Sequence, residues 1–399
     1  MVSFAAVRSN ELDGSKLCNH RMRRNNWRQL LQRSIKVVDI DQLPRDADGA
    51  NLKFAVAKEA EAFRRWRPAL VRGDTARAFL QNYFTGPAMV PWAGIVSMRA
   101  AEVITDGLTL QRDALYVGKS LMYPLEAFPY AHSPLRFEIQ PDGRYAVDLP
   151  GETIHLAGTT ANIVCDGWQI FGHWLVDVLP RLHRIMTSDI EIDTFLLAGP
   201  PRDWQLRLLE AVGLDLDRCR FVDLTASTVT CDHLVIPTYD RYNSEIRPDL
   251  VRVHQKLRDT FLGQSPPPAT RNLFVSRGDW GGSRPLNNRA AIEAAYADLG
   301  FEVVRPEILS FPDQIRLFAS ARSVAGECGS GMHNAIFCGP GTNVAVLQSE
   351  TNLNFLQSQI AMMLDQQVFY VVGPAESEGS DAFSIDIQDA RYVAGILKG

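Results

Sequence analysis

Between Gly172 and Ile185 the chain reads GHWLVDVLPRLHRI. Wound at about 100° per residue, Leu175, Val178, Leu179, Leu182 and Ile185 fall on one side, and His173, Asp177, Arg181 and Arg184 lie within about 80° of one another on the other. The pattern predicts an amphipathic helix with an imidazole and a carboxylate one turn apart. Pro180 predicts a kink or a break, because proline has no N–H and its ring crowds the carbonyl four residues back. Upstream, from Pro87 to Gly158, alternating runs such as AEVIT, LTLQRDALYVG and GRYAVDLPGETIHLAG, punctuated by Asp106 and Gly107, predict strands. After Ile190 the texture changes to short buried strands (TFLLAG, CRFVDL, DHLVIPT) separated by helical stretches, the last of which, DLVRVHQKLRDTFLG, ends at Gly263.

The segment GQSPPPATR cannot be helix or central strand, since its prolines remove donors and enforce extended backbone. It predicts a linker over 263–270, between an N-terminal domain (1–262, including the β-rich 87–158) and a C-terminal domain (271–399). In the latter, strands NLFVSR, FEVVRP, RSVAG, NVAVLQ and QVFYVVG alternate with helical stretches, which predicts βαβ units and a parallel, doubly wound sheet.

With 399 residues, 46% of them hydrophobic, the chain can bury full cores, and roughly 100 to 200 residues per domain is consistent with two domains. A net charge of -5 argues against a nucleic-acid partner. Six scattered cysteines form no CxxC, and no window approaches 18 apolar residues, so reduced thiols and a cytoplasmic protein are expected. Two basic stretches, RMRRNNWRQLLQR (21–33) and FRRWRPALVR (63–72), read as solvated helix faces; for 21–33 the alternative is peripheral contact with an anionic membrane surface.

In open α/β sheets ligands bind beyond the carboxyl ends of the strands. The turn VAGECGSGMHNAIF carries Gly329, Ser330 and Gly331 from a strand into a helix with His333 and Asn334 in its first turn, so free N–H groups and the helix dipole suit a phosphate. The spacing matches neither GxGxxG nor a P-loop, which disfavours a dinucleotide-dependent oxidoreductase. In FVSRGDWGGSRPLNN, Arg277 stands at a strand end of the same sheet and Arg284 follows in a loop; with the turn, two guanidiniums point to a nucleotide diphosphate. Glu307 lies past FEVV, where a carboxylate can accept from ribose hydroxyls or simply charge a helix start.

The segments HWLVDVLPRL, FVSRGDWGGSRPLNN, GFEVVRPEILSFPDQIRLFASA and GECGSGMHNAIFCGPGTNVAVL, in this order, resemble glycosyltransferase family 61. The resemblance implies a GT-B architecture, two Rossmann-like domains facing across a cleft, and an inverting, metal-independent transfer from a nucleotide diphosphate sugar to a glycan or polysaccharide, with no further cofactor. It assigns donor contacts to Arg277, Arg284, Asn288, Gly329, Gly331 and Asn334. Cys328, His333 and Arg289 depart from the eukaryotic pattern, where His, Thr and Glu are usual, and look like the bacterial branch that builds capsular polysaccharide.

Inverting transfer needs a base for the acceptor hydroxyl and positive charge for the leaving diphosphate. His173 and Asp177 are the candidate base: either Asp177 orients His173, or Asp177 takes the proton while His173 binds sugar. Of the acidic pairs, Asp215/Asp217 falls at the amino end of the sheet, away from ligands, and Asp39/Asp41 and Asp46/Asp48 precede any strong βα pattern, so no metal site is expected. A catalytically inactive nucleotide-binding scaffold is the competing reading, kept alive by Cys328 and Arg289. Donor sugar, acceptor and oligomeric state are not legible.

Overall fold

A computed structural model describes residues 30–44, 51–73, 83–125, 135–263, 265–278 and 284–399. Four parallel strands, β1 (Glu152–Asn162), β2 (Thr194–Ala198), β3 (Cys219–Val222) and β4 (Ser227–Pro237), lie in the order β3-β2-β1-β4. A helix spanning 171–186 (α1) leads from β1 to β2, and α2 (Asp203–Ala211) leads from β2 to β3. Antiparallel Ala93–Val103 pairs with β4 and extends the sheet into the β-rich N-terminal region, to eleven strands among the described residues.

The second sheet is all parallel. It contains β5 (Arg271–Val275), β6 (Glu302–Val304), β7 (Ala321–Glu327), β8 (Asn343–Ser349) and β9 (Gln367–Gly373), in the order β6-β5-β7-β8-β9. Its chain order reverses between β5 and β7, the position where open α/β sheets leave a crevice at the strand ends.

The division between the halves differs from the expected one in two ways. The strand Leu70–Arg72, expected in the N-terminal domain, pairs in parallel with β9 as the sixth strand of the C-terminal sheet, and Trp66 Nε1 donates to the carbonyl of Gln366 at 3.1 Å. The helix α3 (Val251–Leu262) also reaches across: Arg258 Nη1 donates to the Cys338 carbonyl. Accordingly, one apolar cluster runs through both halves, from Ile163, Leu175 and Leu179 to Leu273, Phe318 and Phe337.

The basic stretches are not helices where they are described. Residues 1–29 lie outside the described residues, Leu30–Asp39 is a strand, and Arg33 in it pairs with Glu102. In the second stretch Glu61–Arg64 and Leu70–Arg72 are strands, with Arg65 bound to Glu245 and Arg72 to Asp389. Among the described residues no helix is long and apolar enough to cross a membrane.

Helix α1 passes through Pro180 without breaking, because its preceding turn is widened. Residues Trp174–Val178 form a π turn in which the Leu179 N–H reaches back to the Trp174 carbonyl. Pro180 has no N–H to offer the next carbonyl, that of Leu175. His254 Nε2, from α3, meets it at 2.7 Å. Burial pushes the imidazole of His254 down to about 4, more than the Leu175 and Leu250 carbonyls raise it, so it sits there neutral.

Candidate active site

The polar face of α1 is covered over Asp177 and Arg181. Arg181 lies inside, donating to the carbonyls of Asn162, Ile163, Val164 and Pro237 with its guanidinium stacked 4.4 Å from the Tyr239 ring centroid. It draws the ends of β1 and β4 onto the helix. Arg184 pairs with Asp240.

At the start of α1, His173 Nδ1 lies 2.8 Å from Asp177 Oδ2. The Asp177 carboxylate also receives Arg241 Nε on Oδ1 at 2.6 Å and Arg241 Nη2 on Oδ2 at 2.8 Å. Burial raises the Asp177 carboxyl, but the Arg241 guanidinium and the His173 hydrogen bond outweigh it and hold the group well below the usual carboxylate range. The Asp177 side chain is 1% exposed and that of His173 32%, so only the imidazole is open to a ligand. Its ring lies over Gly167, where a β-carbon would stand 3.0 Å from Nε2.

The helix start abuts the glycine turn. Gly329 leads into a 3₁₀ helix, Ser330–Phe337, and a β-carbon on Gly172 would meet His333 Cδ2 at 2.5 Å and Ser330 Oγ at 2.9 Å. Among the described residues the N–H groups of Gly329, Ser330 and Gly331 make no hydrogen bond. His333 Nδ1 lies 3.3 Å from Gln357 Oε1, and burial pushes its imidazole down to about 4.

Arg277 follows β5 and lies on the same turn: a β-carbon on Gly329 would be 3.5 Å from its Nε. Arg284 has its Nη1 4.0 Å from Cys328 Sγ, its N–H on Asp381 and its Nε buried without a partner among the described residues. Neither guanidinium has a carboxylate partner among the described residues. The nearby acid, Glu327, is forked by Arg289, Nε to Oε1 at 2.7 Å and Nη2 to Oε2 at 3.0 Å. Burial and then the Arg284 charge lower the Arg277 value from its ordinary one, against the smaller opposing effect of the Glu327 charge.

Glu307 is exposed at the crevice edge, its Oε1 3.5 Å from where Gly278 would carry a β-carbon. Two expected contacts have protein partners, and Asn334 Oδ1 is left without one among the described residues. Asn288 exchanges both amide hydrogen bonds with the Ile385 backbone, and buried Asn334 donates to Gln314 Oε1 and the Gly331 carbonyl, shaping the turn from beneath.

Residues 171–345 match the family model of Glycosyltransferase 61. The Glycosyltransferase 61 span opens on α1 and closes in β8, so it holds His173, Asp177, both arginines and the glycine turn. It supports a glycosyltransferase in general terms, with a sugar donor and an acceptor. No curated protein matches the chain.

Arg241, Glu327 and the two close-approach glycines, Gly167 and Gly172, were not read from the sequence. Gly172 directly before His173 was the available signal; Arg241 gave none, being brought to Asp177 from 64 residues away.

Proposed function

We propose that the crevice at the ends of β5 and β7 holds the diphosphate of a nucleotide sugar, and that the chain is an inverting, metal-independent glycosyltransferase. The observation that carries this reading is the pair of carboxylate-free guanidiniums, Arg277 and Arg284, beside the open N–H groups of Gly329, Ser330 and Gly331. Arg grips phosphate oxygens through paired N–H donors, and such charge stabilises a departing diphosphate without a metal ion. Glu307, at the edge, accepts from the ribose. The donor lies between two Rossmann-like halves in a GT-B arrangement, for which the β3-β2-β1-β4 and β6-β5-β7-β8-β9 parallel orders give support.

In the transfer, the acceptor hydroxyl oxygen bonds to the anomeric carbon as its proton passes to His173. The bond from that carbon to the diphosphate oxygen breaks, and the electron pair leaves with the nucleotide, so configuration inverts. The acceptor is a glycan or polysaccharide of the capsule or cell surface, and the site of action is the cytoplasm. The departure at position 289 has a structural reason, since Arg289 neutralises buried Glu327, and this removes one support of the inactive-scaffold reading. Calorimetry with nucleoside diphosphates, followed by turnover of a nucleotide-sugar panel, tests the proposal: binding with turnover is expected, and binding without any turnover returns the scaffold.

A further inference from the structure

We infer that Arg241 is a positioning residue for the transfer: by gripping both oxygens of Asp177 it keeps that carboxylate an acceptor only, holds the His173 proton on Nδ1 and leaves Nε2 as the base. The inference rests on the transferase reading above and decides between the two candidate bases.

The geometry leaves Asp177 no free role. Its two oxygens receive Arg241 Nε, Arg241 Nη2 and His173 Nδ1 at 2.6, 2.8 and 2.8 Å, and its side chain is 1% exposed, so no acceptor hydroxyl can reach it. An ionised carboxylate accepts and never donates, so the shared hydrogen must sit on His173 Nδ1; a neutral imidazole then carries its lone pair on Nε2. Among the described residues Nε2 makes no hydrogen bond. Arg241 is itself anchored, with Nη1 donating to the Asn243 carbonyl at 2.7 Å inside the hairpin formed by Arg241–Tyr242 and Glu245–Ile246.

The charges around His173 come from each neighbouring element. Asp177 lies on its own helix, Arg241 on the hairpin, His333 on the 3₁₀ helix, and Asp166 on the loop that carries Gly167. His333 is kept neutral near pH 7 by burial, and Gln357 Nε2 donates to the Met332 carbonyl, so its Oε1 faces His333 Nδ1 as an acceptor. Arg241 is therefore the cation that balances Asp177. Without it, the unbalanced carboxylate favours an imidazolium, which cannot act as base.

The test uses the full chain with ¹⁵N-labelled histidine, wild type and the variants Arg241→Lys, Arg241→Gln and Asp177→Asn, with His173→Gln to assign the ring signals. Ring-nitrogen shifts at pH 8 should show His173 protonated on Nδ1 in wild type and Arg241→Lys, and a mixed tautomer in Asp177→Asn. For transfer, Arg241→Lys should lower kcat roughly tenfold with unchanged donor KM. Arg241→Gln should move the acid limb of the kcat profile up by about one pH unit. A wild-type His173 protonated on Nε2 overturns the inference, and so do wild-type tautomer and kcat in both Arg241→Lys and Asp177→Asn, which decides the matter even if Arg241→Gln does not fold. Calorimetry with a nucleoside diphosphate on the same samples isolates the other failure: a wild type that neither binds nor transfers sinks the transferase reading, while the tautomer still reports on Arg241.

Discussion

Gly172 and His333 touch: a single β-carbon on the glycine would stand 2.5 Å from the imidazole Cδ2. Helix α1 and the glycine turn therefore meet at van der Waals distance, and the residue before His173 has to be glycine for them to do so. Gly172→Ala should push the 3₁₀ helix away, at about 1–3 kcal/mol of stability, the usual cost of overpacking. Urea unfolding reads that loss, and calorimetry should show weaker nucleoside diphosphate binding in the same protein. A neutral result in both would mean the contact does not exist in solution.

Arg277→Ala should weaken nucleoside diphosphate binding by roughly 1.5–3 kcal/mol, the worth of a charge-assisted hydrogen bond. Calorimetry on the folded variant is decisive, and unchanged affinity would move the diphosphate elsewhere.

His173→Ala should lower turnover by about 10² to 10⁴, the range of general base catalysis, and leave nucleotide affinity nearly unchanged. If affinity falls in step with turnover, the imidazole is a binding group and the base lies elsewhere.

Turnover should persist in EDTA if, as proposed, Arg277, Arg284 and the turn N–H groups supply the charge on the leaving group. Of the acidic pairs, Asp41 accepts from Trp92 Nε1 and Ser120, and Asp215 accepts from the Asp217 N–H; Asp46 and Asp48 lie outside the described residues. Loss of activity restored by manganese would force a search among other carboxylates.

Acid should destabilise the fold through His254. His254 has a folded value of about 4 against an ordinary 6.5, so the unfolded chain takes the proton first, and stability present above pH 6.5 drains as pH falls toward 4. By pH 5 this single group should cost about 2 kcal/mol. Urea midpoints between pH 7.5 and 5 measure it, and His254→Gln should flatten the dependence.

The C-terminal sheet was legible because each strand is a short apolar run closed by a turn residue, and Arg277 and Gly329 follow two such runs directly. The pairing inside the site was less so. Asn288 and Asn334 carry the right chemistry at the right spacing, but side-chain amides satisfy backbone as readily as ligand: the Ile385 backbone takes both groups of the Asn288 amide, and the Asn334 NH₂ goes to Gln314 and the Gly331 carbonyl. The polar stripe of α1 put Arg181 on one face with His173 and Asp177 without saying what covers it, and Arg181 is buried because strand-end carbonyls can solvate a guanidinium as water would. The period of a helix tells which residues share a face, not what covers it.

Leu70–Arg72 closes the C-terminal sheet against β9, and Trp66 reaches Gln366 across 300 residues of chain. During synthesis these N-terminal residues leave the ribosome long before their partner strand exists. The second half thus completes itself with a piece made much earlier in synthesis, and a fragment begun at residue 271 would expose the bare edge of β9, an open template for pairing with another chain.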